Sequence, residues 1–288
     1  MISFLKKNFL VFVFFILIIE LLKINNTLIN DFYYPHIYKN VSNILFFLFG
    51  NIPFSVGDII YIIIPLYIII KLKNSYTRRR NFVFIIKTFA IIYIFFQLNW
   101  GLNYHNNNVI NKLYGIEKYD FDQLVKVTNL FVEKTNIIHN KLSKSDTIAA
   151  DLNYNYELVF NESIKAVNNL DFDNKIYLPK QIKIKRSLFS TPLSYIGFSG
   201  YINPFTLEAQ INNNVPELFM PVTTSHEISH LKGYAKENEA NFIGILASVN
   251  SKNLFLSYSG NIQALRYLLD EVRKQDKKES QKIIQKIN

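Results

Sequence analysis

Three long apolar stretches within the first hundred residues constrain this chain more than any other feature. Ser3 to Leu22 is the first, with Lys6 and Lys7 near its start. Val56 to Leu72 is the second and contains Asp58 and Pro65; Phe82 to about Leu98 is the third and contains Lys87. Each approaches the ~20 residues that an α-helix needs to cross a bilayer. The spacing therefore predicts about three transmembrane helices. Ile44 to Phe49 is apolar but too short to cross and reads as a re-entrant or interfacial piece. Lys6 and Lys7 suit a signal-peptide n-region, but no small-residue cleavage site follows Leu22, so an uncleaved anchor is expected. Asp58 and Lys87 read as side chains snorkelling to the interface rather than as an ion pair.

Charge sets the orientation. Lys6 and Lys7 precede the first stretch, and Lys71, Lys73, Arg78, Arg79 and Arg80 join the second and third, whereas residues 24–55 carry only Lys39. By the positive-inside rule both basic segments are cytoplasmic. Everything after about Asn99 is then outside the cytoplasm. Residues 1–105 hold 10 Lys/Arg and 3 Asp/Glu, while residues 106–288 hold 22 and 19. The near balance in the second part argues against a nucleic-acid partner. Cysteine is absent, which excludes disulfides, thiol catalysis and cysteine–metal sites.

The expected organisation is a membrane anchor over 1–104 and a water-soluble domain over 105–288. The fold class is mainly α (α+β). Apolar residues from Phe121 through Leu124, Leu130 and Ile138 repeat at helical spacing, as do Leu158, Val159, Ile164 and Val167 in 155–168. Residues 176–188 alternate around Ile182 and Ile184 in a strand pattern. Ser194 to Ile211 predicts one or two short strands with turns at Gly197, Gly200 and Pro204. The tail from Lys274 to Asn288 reads as a solvated amphipathic helix.

The chemistry lies in His226, Glu227 and His230, an HExxH motif. On a helix, residues i and i+4 share a face, so both imidazoles can hold one Zn2+ with Glu227 as general base. Thr223, Thr224 or Ser225 is expected to cap this helix. Gly233 suits a reversal of the chain, with a second helix from about Ala235. That helix offers a third ligand, Glu237, with Glu239 as the alternative. Glu239 lies about 200° round the helix from Glu237, so the two cannot easily ligate together. Asn241 shares a face with Glu237 and is expected to hydrogen-bond a ligand histidine. Lys236 occupies the position of the third metzincin ligand, which argues against that class. A hydrolytic zinc site also needs an oxyanion donor. Tyr201, Tyr234 and Tyr258 are candidates, and Tyr258 is the choice. His36, His105 and His139 are scattered and read as interfacial or solvent-facing.

Several segments together resemble a bacterial membrane-protein family, domain of unknown function 3810. They are Pro53-Phe54-Ser55-Val56-Gly57-Asp58, Asn99-Trp100-Gly101-Leu102-Asn103-Tyr104, the run Gly197 to Thr206, Glu208-Ala209 with Asn212, the HExxH with Gly233, Glu237 to Phe242, and Tyr258-Ser259-Gly260. The resemblance implies a multi-pass anchor and a metallopeptidase-like domain, with no substrate assigned. The pairing of HExxH with Glu237-x-x-x-Asn241 is also similar to the ExxxD element of integral-membrane metallopeptidases such as the CaaX prenyl protease. There Glu237 matches the ligand glutamate, and Asn241 stands where those proteins have aspartate. The expected function is a membrane-anchored zinc metallopeptidase with a zincin-like domain, acting on a peptide or protein, with membrane lipid around its anchor. The alternative is a catalytically inactive protein that keeps the fold around a structural or absent metal. The base Glu227 favours the enzyme.

Overall fold

Apolar runs with few charges become helices because nothing in them competes with the backbone ladder. In the computed structural model, which describes residues 2–74, 77–106, 119–152, 155–170, 182 and 184–288, the first is α1 (Ile2–Ile24). Asn25 ends it, its side chain accepting from Leu28 N and starting the next helix. That helix, α2 (Asn26–Phe49), bends 99° from Leu10–Ile24. Its section Ile29–Tyr38 is π-helical around Pro35, which has no N–H to give the ladder. The antiparallel pair α3 (Val56–Lys73) and α4 (Arg78–Asn99) follows.

The expectation of three spans is reduced. Among the described residues α4 alone is long and apolar enough to cross a membrane, and the bent pair Leu10–Ile24 with Asn26–Phe49 would make a second if it counts as one span. The whole of α3 is 18 residues, and using all of it brings in Asp58, Lys71 and Lys73. Large apolar side chains of α4, Phe82, Phe89 and Ile91 among them, face outward uncovered.

The second part is mainly helical with one small sheet. Its elements are α5 (Phe121–Leu142), α6 (Tyr156–Asn168), β1 (Ile184–Arg186), α7 (Ser190–Tyr195), β2 (Gly200–Asn203), β3 (Glu208–Ile211), α8 (Met220–Leu231), α9 (Glu237–Val249), α10 (Leu254–Gln275) and α11 (Lys277–Ile284). The strand order is β1-β3-β2. β1 runs parallel to β3, with Ile184 opposite Ala209, and β2 runs antiparallel, with Gly200 opposite Ile211. Gly200 thus begins a strand instead of making a turn, while Gly197, at φ 79°, does turn. Of the strand predicted over 176–188, Ile184–Arg186 forms, whereas 176–181 and 183 lie outside the described residues. The tail is two helices, not one solvated end. Asp276 breaks it and caps α11, accepting from Lys278 N (2.8 Å) and Glu279 N (3.0 Å). Ile283 is then buried with Leu124, Val132, Leu265 and Val272.

The sheet lies across the head of α3. Alternate side chains of its strands, Lys185, Ser187, Tyr201, Glu208 and Gln210, reach the residues around that helix start. Glu208 accepts from Gly57 N (2.6 Å) and Val56 N (3.3 Å), satisfying two donors that a helix N-terminus leaves open. Lys185 pairs with Glu208 in a buried ion pair and donates to Phe49 O (2.8 Å) and Phe54 O (3.0 Å). Gln210 bonds Ser55, which itself caps α3 at Asp58 N (2.9 Å). Asp58 does not snorkel and does not pair with Lys87. It is fully buried and accepts from Leu188 N (2.7 Å), Ser187 Oγ (3.2 Å) and Tyr201 OH. A carboxylate can be buried because these donors replace its water. Hydrogen bonds therefore cross the 104/105 boundary at many points.

Glu208→Gln leaves the Lys185 ammonium buried without its counter-charge. Thermal or denaturant unfolding in detergent is expected to show a loss of about 3–5 kcal/mol. The double variant Lys185→Met/Glu208→Gln should lose less than the sum of its single variants.

Candidate functional site

α8 begins at Met220, with Pro221 in its first turn, where a missing N–H costs nothing. Thr223, Thr224 and Ser225 are therefore inside the helix and do not cap it; Thr224 and Ser225 are fully buried. One turn on, His226 and His230 stand on a common face, their ring centroids 4.6 Å apart and nearly perpendicular. Lys232 N, Gly233 N and Tyr234 N close the helix end, and Gly233 takes φ 88° so that the chain can reverse. The reversal aims Tyr234 O at His230 Nδ1, 2.7 Å away. Nδ1 then donates to that carbonyl and Nε2 faces the other side.

The second helix, α9, starts at Glu237 rather than Ala235. Its first carboxylate reaches both imidazoles: Glu237 Oε2 is 3.2 Å from His226 Nε2, and Oε1 is 3.4 Å from His230 Nε2. Hydrogen bonds from His226 and then His230 hold the Glu237 carboxyl well below the usual carboxylate range, although its side chain is 72% exposed. Burial disfavours the His230 cation, but Glu237 and Glu227 outweigh it and the net shift is upward. Close approach of the two helices makes this reach possible. A Cβ on Gly244 of α9 would stand 2.9 Å from His226 N. Glu239 is buried and does not line the cleft, so the structure brings Glu237, not Glu239, to the histidines. Asn241 lines the cleft one turn beyond Glu237. Among the described residues it makes no hydrogen bond to either histidine; the Tyr234 carbonyl takes that part at His230.

Glu227 lies between the helix and the sheet. It is buried, and its Oε2 has no hydrogen-bond partner among the described residues. Burial raises its carboxyl above the usual range, against the pull of His226 and His230. Ligand atoms of His226, Glu227 and His230 all lie within 4.8 Å of one another. The carboxylate packs directly against Gly200: a Cβ there would stand 2.7 Å from Glu227 Oε1 and 2.8 Å from the Gln210 carbonyl oxygen, so a side chain has no room. Two imidazole nitrogens and an ionised carboxylate form a three-donor set that fits a divalent zinc ion, with the orphaned carboxyl oxygen of Glu227 beside it.

A cleft of about 480 Å³ opens over this group. Residues Gly197 to Ile202, along the edge of β2 that is unpaired among the described residues, form one wall, and Val215, Pro216 and Phe219 add to it. Trp100 and Tyr104, just past the end of α4, form another wall, and the Trp100 ring meets His230 edge-on at 5.5 Å. Gln263 and Arg266 of α10 close the far side. The sequence reading missed Trp100 as a site residue. Its signal was its place, the one tryptophan in the chain, directly after an apolar run.

The tyrosines divide. Tyr201 lines the cleft, but its hydroxyl donates to Asp58, and burial followed by that carboxylate pushes the phenol well above its usual range. Tyr234 is buried under the turn and is not a cleft residue. Tyr258, the expected oxyanion donor, lies outside the cleft because α10 turns it toward α5, where its ring rests 6.1 Å from that of His139. His139 is consequently buried rather than solvent-facing, while His36 is exposed. From α2, Tyr38 OH donates to Leu231 O (3.1 Å) and Tyr34 OH to Lys232 O, bracing the end of α8.

Two glycines separate contact from conformation. Gly200→Ala should cost about 1–3 kcal/mol by overpacking against Glu227 and the Gln210 carbonyl. Gly197→Ala, with nothing within 4 Å, should cost only about 1 kcal/mol, for its positive φ. Paired thermal unfolding curves measure the difference.

A family model described as Protein of unknown function (DUF3810) matches residues 33–288. No curated protein and no solved structure matches the chain. The matched span runs from the tyrosines of α2 through the cleft to the C-terminal helix, and on that match the chain belongs to the DUF3810 family.

Proposed function

We propose that this protein is a membrane-anchored zinc metallopeptidase whose C-terminal part, with a zincin-like arrangement, works outside the cytoplasm. The observation that carries the reading is the convergence of His226 Nε2, His230 Nε2 and the Glu237 carboxylate beside a buried Glu227 with an unpartnered oxygen. His226, His230 and Glu237 would hold Zn2+. Zinc there would supply Lewis acidity, able to lower the pKa of water toward ~7.

The chain's own residues supply the rest. Glu227 takes a proton from the attacking water and delivers it to the leaving amine. Its burial favours the protonated form, which suits the second half of that transfer. Tyr234 O fixes the His230 ring through Nδ1. An extended peptide can add to the free edge of β2, its backbone pairing with that of Gly200 to Asn203. Trp100 covers His230 and limits water on that side.

Orientation follows from α4. Arg78, Arg79 and Arg80 begin it and Trp100 at the cleft follows its end, about 33 Å away along 22 residues. With the arginines in the cytoplasm the cleft is on the opposite side. We read the anchor as multi-pass, embedded in membrane lipid, with a peptide or protein as substrate.

Metal analysis of purified protein tests the ligand set. Wild type should carry one zinc per chain and His226→Ala should lose it. Glu227→Gln should keep zinc and lose peptide hydrolysis. Stoichiometric zinc in His226→Ala would overturn the reading. A reporter active only outside the cytoplasm, fused after residue 105, should give signal; a silent fusion would reverse the orientation.

A further inference from the structure

The wall of the cleft continues outward into a lip with no obvious tenant. From Leu188 to Gly200 the chain carries no charged residue. Over that stretch Leu188 is 56% exposed, Tyr195 90%, Ile196 66% and Phe198 54%. Isolated exposed apolar residues need no explanation, but four large ones on one short segment do. The segment is α7 with the turns at its two ends, and it is ordered by its own bonds. Leu193 N donates to Phe189 O (2.9 Å), Phe198 N to Leu193 O (2.9 Å), and Asn212 Nδ2 to Phe198 O (2.9 Å). The apolar side chains are therefore held out, not collapsed.

The position of the lip identifies its occupant. The sheet lies across the head of α3, fixed there by Glu208 on Gly57 N and by Asp58 on Leu188 N. Leu188 is thus level with the first turn of an apolar helix. At the other end of β2, Phe205 stacks on Phe95 of α4 (5.8 Å) and meets Tyr61 of α3 edge-on (6.1 Å). Both ends of the sheet's outer strand are tied to the same ends of α3 and α4. The lip is attached at that level at both ends, through Leu188 on Asp58 and through Tyr201, the residue after Gly200, on the same carboxylate. Aromatic rings with apolar neighbours and no charge suit the headgroup boundary of a bilayer.

We propose that Leu188, Tyr195, Ile196 and Phe198 dip into the lipid surface, so that the cleft mouth opens at the bilayer and receives membrane-associated peptides. This rests on the reading of α4 as a membrane span, and the test separates the two. Phe198 both belongs to the lip and lines the cleft, so a chain emerging from lipid would pass it on the way to Glu227.

The absence of cysteine makes the test direct. The full chain carrying one of Tyr195→Cys, Ile196→Cys, Phe198→Cys or Phe89→Cys is labelled with an environment-sensitive fluorophore. It is then reconstituted into phosphatidylcholine–phosphatidylglycerol vesicles with or without doxyl-labelled lipid. Expected is strong loss of fluorescence to doxyl lipid at the three lip positions, comparable to that at Phe89→Cys on α4, with little quenching by aqueous iodide. Doxyl quenching at Phe89→Cys but iodide quenching at the lip overturns the proposal and leaves the span standing. Quenching by neither agent at the lip means that protein, such as a second copy, covers it, and also overturns the proposal. No doxyl quenching at any of the four positions overturns both.

Discussion

Two buried carboxylates, Asp58 and Glu208, fasten the sheet to the first turn of an apolar helix, and the cleft depends on that joint. A helix N-terminus leaves backbone donors unsatisfied, and an apolar environment makes each one costly. Glu208 answers Val56 and Gly57, and Ser55 answers Asp58 N. The negative charge also suits the positive end of the α3 dipole. Because Glu208 belongs to the central strand, satisfying the helix fixes the sheet, and fixing the sheet fixes Gly200 over Glu227.

The same joint explains why the chain does not divide mechanically at the end of its apolar part. Lys185 reaches Phe49 and Phe54, Tyr34 and Tyr38 reach the end of α8, and Trp100 touches His230. The metal-type cluster is walled by residues on both sides of residue 104. A soluble fragment beginning at residue 105 would expose the underside of the sheet, with Lys185, Glu208 and Gln210 facing water in place of their partners.

What the sequence made legible was local. His226 and His230 could be put on one face because a helix turns 100° per residue, and the same angle separated Glu237 from Glu239. The reversal at Gly233 was legible from glycine alone. What was not legible depended on contacts far apart in the chain. Asp58 looked like an interfacial charge because its donors are Leu188, Ser187 and Tyr201, 129 to 143 residues on. Tyr258 looked available because sequence does not say which way α10 rolls. The tail looked solvated because the break at Asp276, which turns Ile283 back onto Leu124, resides in one capping side chain amid many charges. Gly200 looked like a turn because the groups that leave it no room, the Gln210 carbonyl and the Glu227 carboxylate, lie 10 and 27 positions later.

The choice between an enzyme and an inert scaffold turns on Glu227. A structural zinc takes four protein ligands, whereas His226, His230 and Glu237 supply three, and an inert ion held by those three would not need Glu227. Position 227 could then hold any residue that fills the space against Gly200, and an apolar one would be the more stable, since burying a carboxyl oxygen without a partner costs free energy. The chain instead keeps an acid there and surrounds it closely enough to raise its pKa, with Gly200 packed against it. Local stability given up beside a convergent donor set is what a general base requires, because a base must be desolvated and unpaired until water and substrate arrive. An inert scaffold offers no return for that cost, and the acid at position 227 is therefore the strongest argument for hydrolysis.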